Sequence, residues 1–186
     1  MVYGYKRHND GKFLKRIRIS SSAVISYPEN LEIGDNVWIW HHSIIDASNG
    51  VKIGEGCQIG AWVGIFSHSS HKAIRLYGKS YIEINQSERI GYDIGKVEIG
   101  EYTFIGAGSI IMQGVKIGKG CVIAGHSVVK TDVPDYSISS GNPARVVGEV
   151  KKLDEKYLIQ NNYLHQFYFD SGLLNEILKN NNDRVK

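Results

Sequence analysis

The stretch VEIGEYTFIGAGSIIMQGVKIGKGCVIAGHSVV, residues 97–129, decides the fold. Isoleucine or valine returns at every sixth position through it, at Ile99, Ile105, Ile111, Ile117, Ile123 and Val129. A six-residue period matches neither the helical period of about 3.6 nor the two-residue alternation of a long strand. The period instead predicts short strands separated by turns, with the branched residue of each strand pointing inward.

The same pattern extends towards the N-terminus. Four ten-residue segments align without gaps: LEIGDNVWIW (31–40), VKIGEGCQIG (51–60), VEIGEYTFIG (97–106) and VKIGKGCVIA (115–124). Four positions after the branched residues stand small or β-branched side chains, which we expect at the corners: Val37, Ser43, Cys57, Val63, Ser69, Thr103, Ser109, Val115, Cys121, Ser127 and Val133. Glycine recurs one position after the branched residues, where we expect it for its backbone freedom: Gly34, Gly54, Gly60, Gly100, Gly106 and Gly118.

Three six-residue faces close one turn of a triangular prism, and successive turns stack at the spacing of paired strands, about 4.8 Å. The step lengthens to eight residues from Ile25 to Ile33 and from Ile45 to Ile53. From Ile65 to Ile99 the chain makes a long excursion, residues 66–96, at the same corner. An insertion at one corner leaves such a stack intact. The sequence therefore predicts an all-β solenoid over residues 19–148.

Composition sets the remaining limits. The 186 residues are 42% hydrophobic and 22% charged with a net charge of +3, which suits one folded domain and does not predict nucleic-acid binding. The sequence shows no apolar run of the length of a membrane span and no secretory signal, so we predict a cytoplasmic protein. Two cysteines cannot form a disulfide framework, and Cys57 and Cys121 stand at corner positions where they are expected to fill the core.

Two segments flank the repeat. Residues 1–18 are expected to form an N-terminal extension, and the basic side chains in it are expected to be solvated. Residues 149–186 are expected to form a C-terminal extension of two short helices. In the second helix Leu173, Leu174, Ile177 and Leu178 form an apolar stripe, and Ser171 is a possible N-cap. We expect these helices to pack on the end of the prism or on a partner subunit.

The repeats, together with the segment DVPDYSISSGNPARVVG (132–148), resemble those of the hexapeptide-repeat acyltransferases, in particular the branch of sugar and small-molecule O-acetyltransferases. The resemblance covers about residues 19–148. It implies a left-handed parallel β-helix, a homotrimer, and acetyl-CoA bound as co-substrate in a groove between neighbouring prisms. It also implies that the acyl group passes directly to a hydroxyl or an amine, with no metal.

Transfer to a hydroxyl needs a general base, and histidine titrates near neutrality. The excursion begins with Phe66-Ser67-His68-Ser69-Ser70-His71. In the family the base lies where such a loop leaves the last regular strand, which makes His71 the first candidate. His68 is the second candidate, and its alternative role is to contact the substrate or to orient the base. The oxyanion donor is left open between backbone N–H groups and a serine hydroxyl.

Further roles follow from the resemblance. Ala107 and Gly125 would present turn amides to the pantetheine arm, and Lys130 and Arg145 would meet the phosphates of CoA. Phe104 stands where several relatives carry a tryptophan at the acceptor site, so it keeps an aromatic wall without the indole N–H. In the excursion, Arg75 and Tyr77 are expected to help bind the acceptor.

These residues, with the resemblance, predict an acetyl-CoA-dependent O-acetyltransferase acting on a saccharide hydroxyl, such as one of a cell-surface polysaccharide. The alternative is N-acetylation of an amino sugar or its nucleotide-activated form. A zinc enzyme or a non-catalytic scaffold is a third interpretation. Zinc β-helix enzymes use three histidines that converge between subunits, but here His42 and His126 share one face whereas His68 and His71 start from another. The sequence does not name the acceptor.

Overall fold

The six-residue period becomes three parallel sheets that the chain visits in the same order on every turn. The computed structural model describes residues 1–184. Its strands, in chain order, are β1 (Val2–Lys6), β2 (Phe13–Ile19), β3 (Val24–Ser26), β4 (Leu31–Ile33), β5 (Trp38–Ile39), β6 (Ile44–Asp46), β7 (Val51–Ile53), β8 (Gln58–Ile59), β9 (Gly64–Phe66), β10 (His68–Ser69), β11 (Asp93–Ile94), β12 (Val97–Ile99), β13 (Phe104–Ile105), β14 (Ile110–Ile111), β15 (Lys116–Ile117), β16 (Val122–Ile123), β17 (Val128–Val129), β18 (Ser137–Gly141) and β19 (Ala144–Glu149).

The first sheet has the order β1-β2-β5-β8-β13-β16-β18-β19, the second β17-β14-β9-β6-β3 and the third β15-β12-β7-β4. Antiparallel hairpins, β1–β2 and β18–β19, stand at the two ends of the first sheet. The helices are α1 (Ala73–Tyr77), α2 (Val150–Gln160) and α3 (Ser171–Arg184). Single 3-10 turns cover Pro28–Asn30, Gly78–Ile82, Gln86–Glu88 and Asn162–Gln166. The predicted β-rich class, mostly strands with a few helices, is confirmed at this level.

The branched residues of the repeat form three inward ladders. In the first sheet the register aligns Ile19, Ile39, Ile59, Ile105 and Ile123. The second sheet aligns Ile25, Ile45, Ile65, Ile111 and Val129, and the third aligns Ile33, Ile53, Ile99 and Ile117. All but Ile25 are buried. Each branched side chain therefore packs on its own counterpart in the next turn, which fixes the register of the whole coil.

The recurrent glycines are explained by close approach rather than by backbone angle. None of the six predicted glycines has a positive φ. A Cβ on Gly54 would lie 2.6 Å from the backbone nitrogen of Glu101, and a Cβ on Gly60 would lie 2.7 Å from that of Ala107. The expectation of unusual backbone angles at these positions was therefore wrong. Several turn residues that do adopt a positive φ are not glycine: Asn36, His42, Trp62, Tyr102, His126 and Tyr136.

Small side chains fill the corners of the coil. Cys57 and Cys121 are buried there, and their thiols donate to the carbonyls of Gly100 and Pro134 at 3.0 Å. Burial raises the pKa of the Cys57 thiol to about 12, so this cysteine is unreactive near neutral pH. The corner position predicted for Ser69 was wrong. The chain has already left the coil there, and Ser69 belongs to β10.

The excursion leaves the coil after β9 and rejoins it at β12, at the corner between the second and third sheets. Its two ends meet, since the Gly95 N–H donates to the Ser67 carbonyl at 3.0 Å. Just beyond them, β10 and β11 form a two-residue antiparallel ladder. The segment between these strands carries α1 and two of the 3-10 turns.

The C-terminal extension packs on the side of the coil. Leu173, Leu174 and Ile177 are buried against Leu158, as the predicted stripe requires, and Tyr136 of the coil packs on this cluster. The predicted N-cap at Ser171 was wrong, because the Asp170 carboxylate accepts the N–H of Leu173 at 2.9 Å and caps α3 instead. Within residues 1–184, no helix combines the length and apolar character that crossing a bilayer requires.

Candidate active site

His71 lies on the exposed side of the excursion, directly after β10. Its Nδ1 is 2.8 Å from the Ser69 hydroxyl and 3.9 Å from a carboxylate oxygen of Asp93. Asp93 also pairs with Lys72 at 2.9 Å. Both contacts are on Nδ1, and Nε2 is the ring nitrogen without a partner among the described residues.

His68 occupies the opposite side of the same hairpin and faces the coil. Its Nδ1 lies 2.5 Å from a carboxylate oxygen of the buried Asp46 and 3.1 Å from the Ser48 hydroxyl. The ring of Tyr92 stacks on the imidazole with centroids 5.3 Å apart. This pair of Asp46 and His68 ties β10 to the end of β6. The sequence analysis did not single out Asp46. The signal that could have indicated it is an aspartate directly after the inward residue Ile45.

The predicted acceptor residues Arg75 and Tyr77 make contacts within the excursion. The Arg75 guanidinium donates to the carbonyl of His71. The Tyr77 hydroxyl donates to the Glu88 carbonyl at 3.3 Å and accepts the N–H of Ile90 at 2.9 Å. The Tyr77 bonds join the first part of the excursion to its last part, and the Arg75 bond is local. Both side chains thus support the segment that carries His71.

The predicted CoA-arm residues lie at the corner between the first and second sheets. Ala107 and Gly125 are exposed in consecutive turns, and the Ala107 carbonyl accepts the N–H of His126 at 2.9 Å. Gly125 makes no hydrogen bond within residues 1–184, so its amide N–H is free to meet a ligand. Phe104, on the outer face of the first sheet, is 45% exposed.

The predicted phosphate partners lie near the last turn. Lys130 is exposed directly after β17, and Arg145 is exposed in β19. The Arg145 guanidinium donates to the Ala144 carbonyl at 2.9 Å, and no carboxylate within residues 1–184 pairs with either cation. Two unpaired cations at the end of the coil suit a polyanionic ligand.

The candidate histidines and the candidate CoA-arm residues lie at different corners of the coil. His68 and His71 belong to the corner between the second and third sheets, whereas Ala107 and Gly125 belong to the corner between the first and second. His42 and His126 share that latter corner. In the part of the chain that the structure describes, no three His, Cys, Asp or Glu side chains are grouped closely enough to hold a metal ion.

Comparison with known proteins agrees with the repeat. Residues 96–131 match the family model described as bacterial transferase hexapeptide (six repeats), and residues 31–65 match the hexapeptide repeat of succinyl-transferase. A dTDP-4-amino-4,6-dideoxy-D-glucose acyltransferase of Escherichia coli is 30% identical over 139 residues, which cover 73% of this chain and 70% of that protein. The chain belongs to the hexapeptide-repeat transferase family.

Two further proteins are similar to this chain, one in sequence and one in solved structure. A putative acetyltransferase of Saccharomyces cerevisiae, YJL218W, is 35% identical over 139 residues, or 74% of this chain. The matched region spans 63% of the yeast protein's length, which is less than two thirds. A solved galactoside acetyltransferase in complex with coenzyme A is 25% identical, with a TM-score of 0.62 over 75% of this chain and 66% of that one.

Proposed function

We propose that this chain transfers the acetyl group of acetyl-CoA directly to a hydroxyl of a saccharide. The observation that carries the proposal is the histidine-bearing excursion set on the coil of a hexapeptide-repeat transferase. The relatives named as acetyltransferases, and the coenzyme A complex of one of them, support it. The proposal includes a left-handed parallel β-helix, a homotrimer and a cytoplasmic location.

In this proposal His71 is the general base. Its Nε2 removes the proton from the acceptor hydroxyl while the oxygen attacks the thioester carbonyl. The tetrahedral intermediate collapses with cleavage of the C–S bond, and the imidazolium returns the proton to the CoA thiolate. The Asp93 carboxylate, 3.9 Å from Nδ1, stabilises the imidazolium that forms between the two steps. Lys72 pairs with the same carboxylate, which reduces the stabilisation of the imidazolium by Asp93.

The donor lies between neighbouring chains in this proposal. Ala107 and Gly125 bind the pantetheine arm through their backbone, Lys130 and Arg145 bind its phosphates, and Phe104 borders the acceptor. Assembly of the trimer then supplies the proximity that one chain lacks, because the excursion of one chain meets the donor corner of the next. Backbone N–H groups at that corner are the proposed oxyanion donors.

His68 is the rival base, because Asp46 and Ser48 face its Nδ1 and its Nε2 has no partner among the described residues. The same contacts, with the stacked ring of Tyr92, anchor the hairpin of β10 and β11 on the coil. His71 lies two residues after the end of β10, and its side chain is more exposed, 55% against 33% for His68. We propose His71 for proton transfer on this difference in exposure, and His68 for positioning.

The test compares His71→Ala, His68→Ala and His8→Ala, the last a control at an exposed histidine of the β1–β2 turn. Acetyl-CoA turnover with a saccharide acceptor should fall about 10²- to 10⁴-fold in His71→Ala, at an unchanged melting temperature. His68→Ala should lower the melting temperature as well as the activity. Full activity in His71→Ala would refute its role, and a loss confined to His68→Ala would make His68 the base.

Transfer to an amine is the second candidate, favoured by the likeness to the acyltransferase of an amino sugar nucleotide. A matched pair of acceptors that differ only in a hydroxyl or an amino group separates the two. An amine loses its proton more readily, so its acetylation should depend less on His71. Preference for the amine, together with a small effect of His71→Ala, would support N-acetylation.

A further inference from the structure

A polar cavity lies where the excursion folds back against the coil, and we name it the excursion pocket. Its volume is about 540 Å³, in the range of small-ligand sites. Its polar lining comes from Asn49 of the coil and from Asn85, Gln86, Ser87, Arg89 and Tyr92 of the excursion. Amides, a hydroxyl and an aromatic ring are the groups that bind saccharide hydroxyls and ring faces. Among residues 1–184, no acidic side chain lines the pocket.

Arg89 is the only cation among the described residues that line this pocket, and it is held in place before any ligand arrives. Its Nε donates to the Ile84 carbonyl at 2.9 Å, and its guanidinium lies 4.1 Å from the centroid of the Tyr81 ring. No carboxylate within residues 1–184 pairs with it. A half-buried guanidinium with fixed Nε and free terminal nitrogens is a preorganised partner for a carboxylate or a phosphate.

The excursion pocket adjoins the histidine hairpin. Tyr92 lines the pocket and stacks on His68, and Gln86 donates to the Tyr92 hydroxyl at 2.9 Å. On the coil side, the Asn49 amide donates to the Ser48 hydroxyl at 3.1 Å, which in turn contacts His68. A saccharide bound in this pocket would therefore lie beside His68, and the proposed base His71 is three residues further along the chain.

We infer that the excursion pocket binds the anionic group of an acidic saccharide acceptor, with Arg89 as the anion partner and the amides as hydroxyl partners. The inference rests on the proposed function, which it deepens by naming the class of acceptor. The anionic group is a carboxylate or a phosphate, since both match the free edge of the guanidinium.

The experiment measures binding by calorimetry in the absence of acetyl-CoA. The probes are methyl β-D-glucoside, its uronate and glucose 1-phosphate. The charged probes should bind at least ten-fold more tightly than the neutral one, and whichever of the two binds more tightly identifies the anion. Arg89→Gln should weaken the charged probes about 10- to 100-fold and leave the neutral probe unchanged.

Two further variants keep the test decisive. Asn85→Asp leaves the contacts that hold Arg89 in place but adds a carboxylate to the pocket, so it should also weaken the charged probes. Lys79→Gln removes an exposed charge from the same excursion outside the pocket and should change nothing. Equal binding of charged and neutral probes, no binding of either charged probe, or equal effects of Arg89→Gln and Lys79→Gln would overturn the inference.

The outcomes also separate this inference from the proposed function. Arg89-dependent binding of a charged probe in a protein that never turns over acetyl-CoA would keep the pocket and overturn the acetyltransferase. Acetyl transfer to neutral and charged acceptors alike, unaffected by Arg89→Gln, would keep the acetyltransferase and overturn the pocket.

Discussion

At the scale of single residues, the corners of the coil impose two different demands. One turn position requires a positive φ, and side chains as large as Trp62 and Tyr102 accept it. The position after each inward isoleucine requires the absence of a Cβ, because the backbone of the next turn lies against it. Gly54 meets the second demand and not the first. The two demands have different consequences for substitution.

Gly54→Ala should destabilise the protein, because the added Cβ would lie 2.6 Å from the nitrogen and 2.8 Å from the Cα of Glu101. Both are backbone atoms, so no rotamer change relieves the contact, and we expect a loss of about 1–3 kcal/mol. Gly148→Ala is the control, since its Cβ would make ordinary contacts with the Ile138 side chain, at 3.6 and 3.8 Å. Denaturant unfolding measures both, and equal midpoints would contradict the explanation.

Residue types could be predicted where the period constrains them. The inward isoleucines and the buried Cys57 follow from the six-residue spacing alone. The reason for the glycines does not follow, because a sequence shows the recurrence of a residue but not the distance to the next turn. Asp46 was missed for a related reason. Its partner His68 lies 22 positions later in a segment without a period.

At the scale of elements, the C-terminal extension is joined to the coil by one aromatic and one acidic residue. The Phe169 ring lies 5.1 Å from that of Tyr102 and fills the space above Gly120. Asp170 accepts from Lys119 at 2.8 Å and from the Tyr136 hydroxyl at 2.5 Å with one oxygen, while the other caps α3. One side chain thus starts the helix and attaches it.

Asp170→Asn separates these two tasks, because asparagine still caps a helix but cannot form the ion pair. The hydrogen bonds from Lys119 and Tyr136 hold the pKa of Asp170 well below its ordinary value. The stability that this adds is therefore complete above the unfolded pKa of about 3.9 and is lost as pH falls through the folded pKa. The difference in unfolding free energy between wild type and Asp170→Asn should shrink below about pH 4. A difference that stays constant at acid pH would contradict a stabilising role for the ionised Asp170 carboxylate.

Asp170→Ala removes the cap as well. It should be less stable than Asp170→Asn by about 1 kcal/mol at neutral pH, measured by the same unfolding experiment. Equal stability of the two variants would show that the carboxylate does not cap α3.

Phe169→Ala should loosen the extension, because it removes the ring that Tyr102, Tyr136 and Tyr168 surround. We expect a loss of about 2 kcal/mol, less than for a fully buried phenylalanine, and faster amide exchange in α3. Phe167→Ala is the matched control, since that ring is 72% exposed. Equal exchange rates in the two variants would contradict the anchoring role of Phe169.

Elements with a period were predictable and the others were not. The stripe from Leu173 to Leu178 indicated α3, although its cap proved to be one residue earlier than Ser171. Within the excursion the sequence has no recurrent spacing. Its α1 helix and the lining of the excursion pocket depend on contacts such as Arg89 on Tyr81, which join distant parts of an irregular segment.

At the scale of the whole molecule, the outer faces of two sheets differ in character. On the third sheet the register places Glu32, Lys52, Glu98 and Lys116 in a row of alternating charge. On the second sheet the outward row contains Val24, Ile44 and Ile110, which are 53%, 44% and 36% exposed. The charged row is typical of a solvent-exposed surface, whereas the apolar row is typical of a surface that contacts another protein.

Ile110→Lys should therefore weaken the proposed trimer, because it places a charge in the apolar row without disturbing the inward ladder. Analytical ultracentrifugation should show the variant shifted towards monomer. Lys52→Gln, on the charged row, should leave the mass unchanged. A trimer that survives Ile110→Lys would exclude the second sheet from the interface.

The bond between the Ser67 carbonyl and the Gly95 N–H has a consequence for insertions and deletions in the excursion. Because the two ends of the excursion meet, β12 pairs with β7 in register although 30 residues separate β9 from β12. We therefore expect that the segment between β10 and β11 can be lengthened or shortened without altering the pairing of the strands on either side.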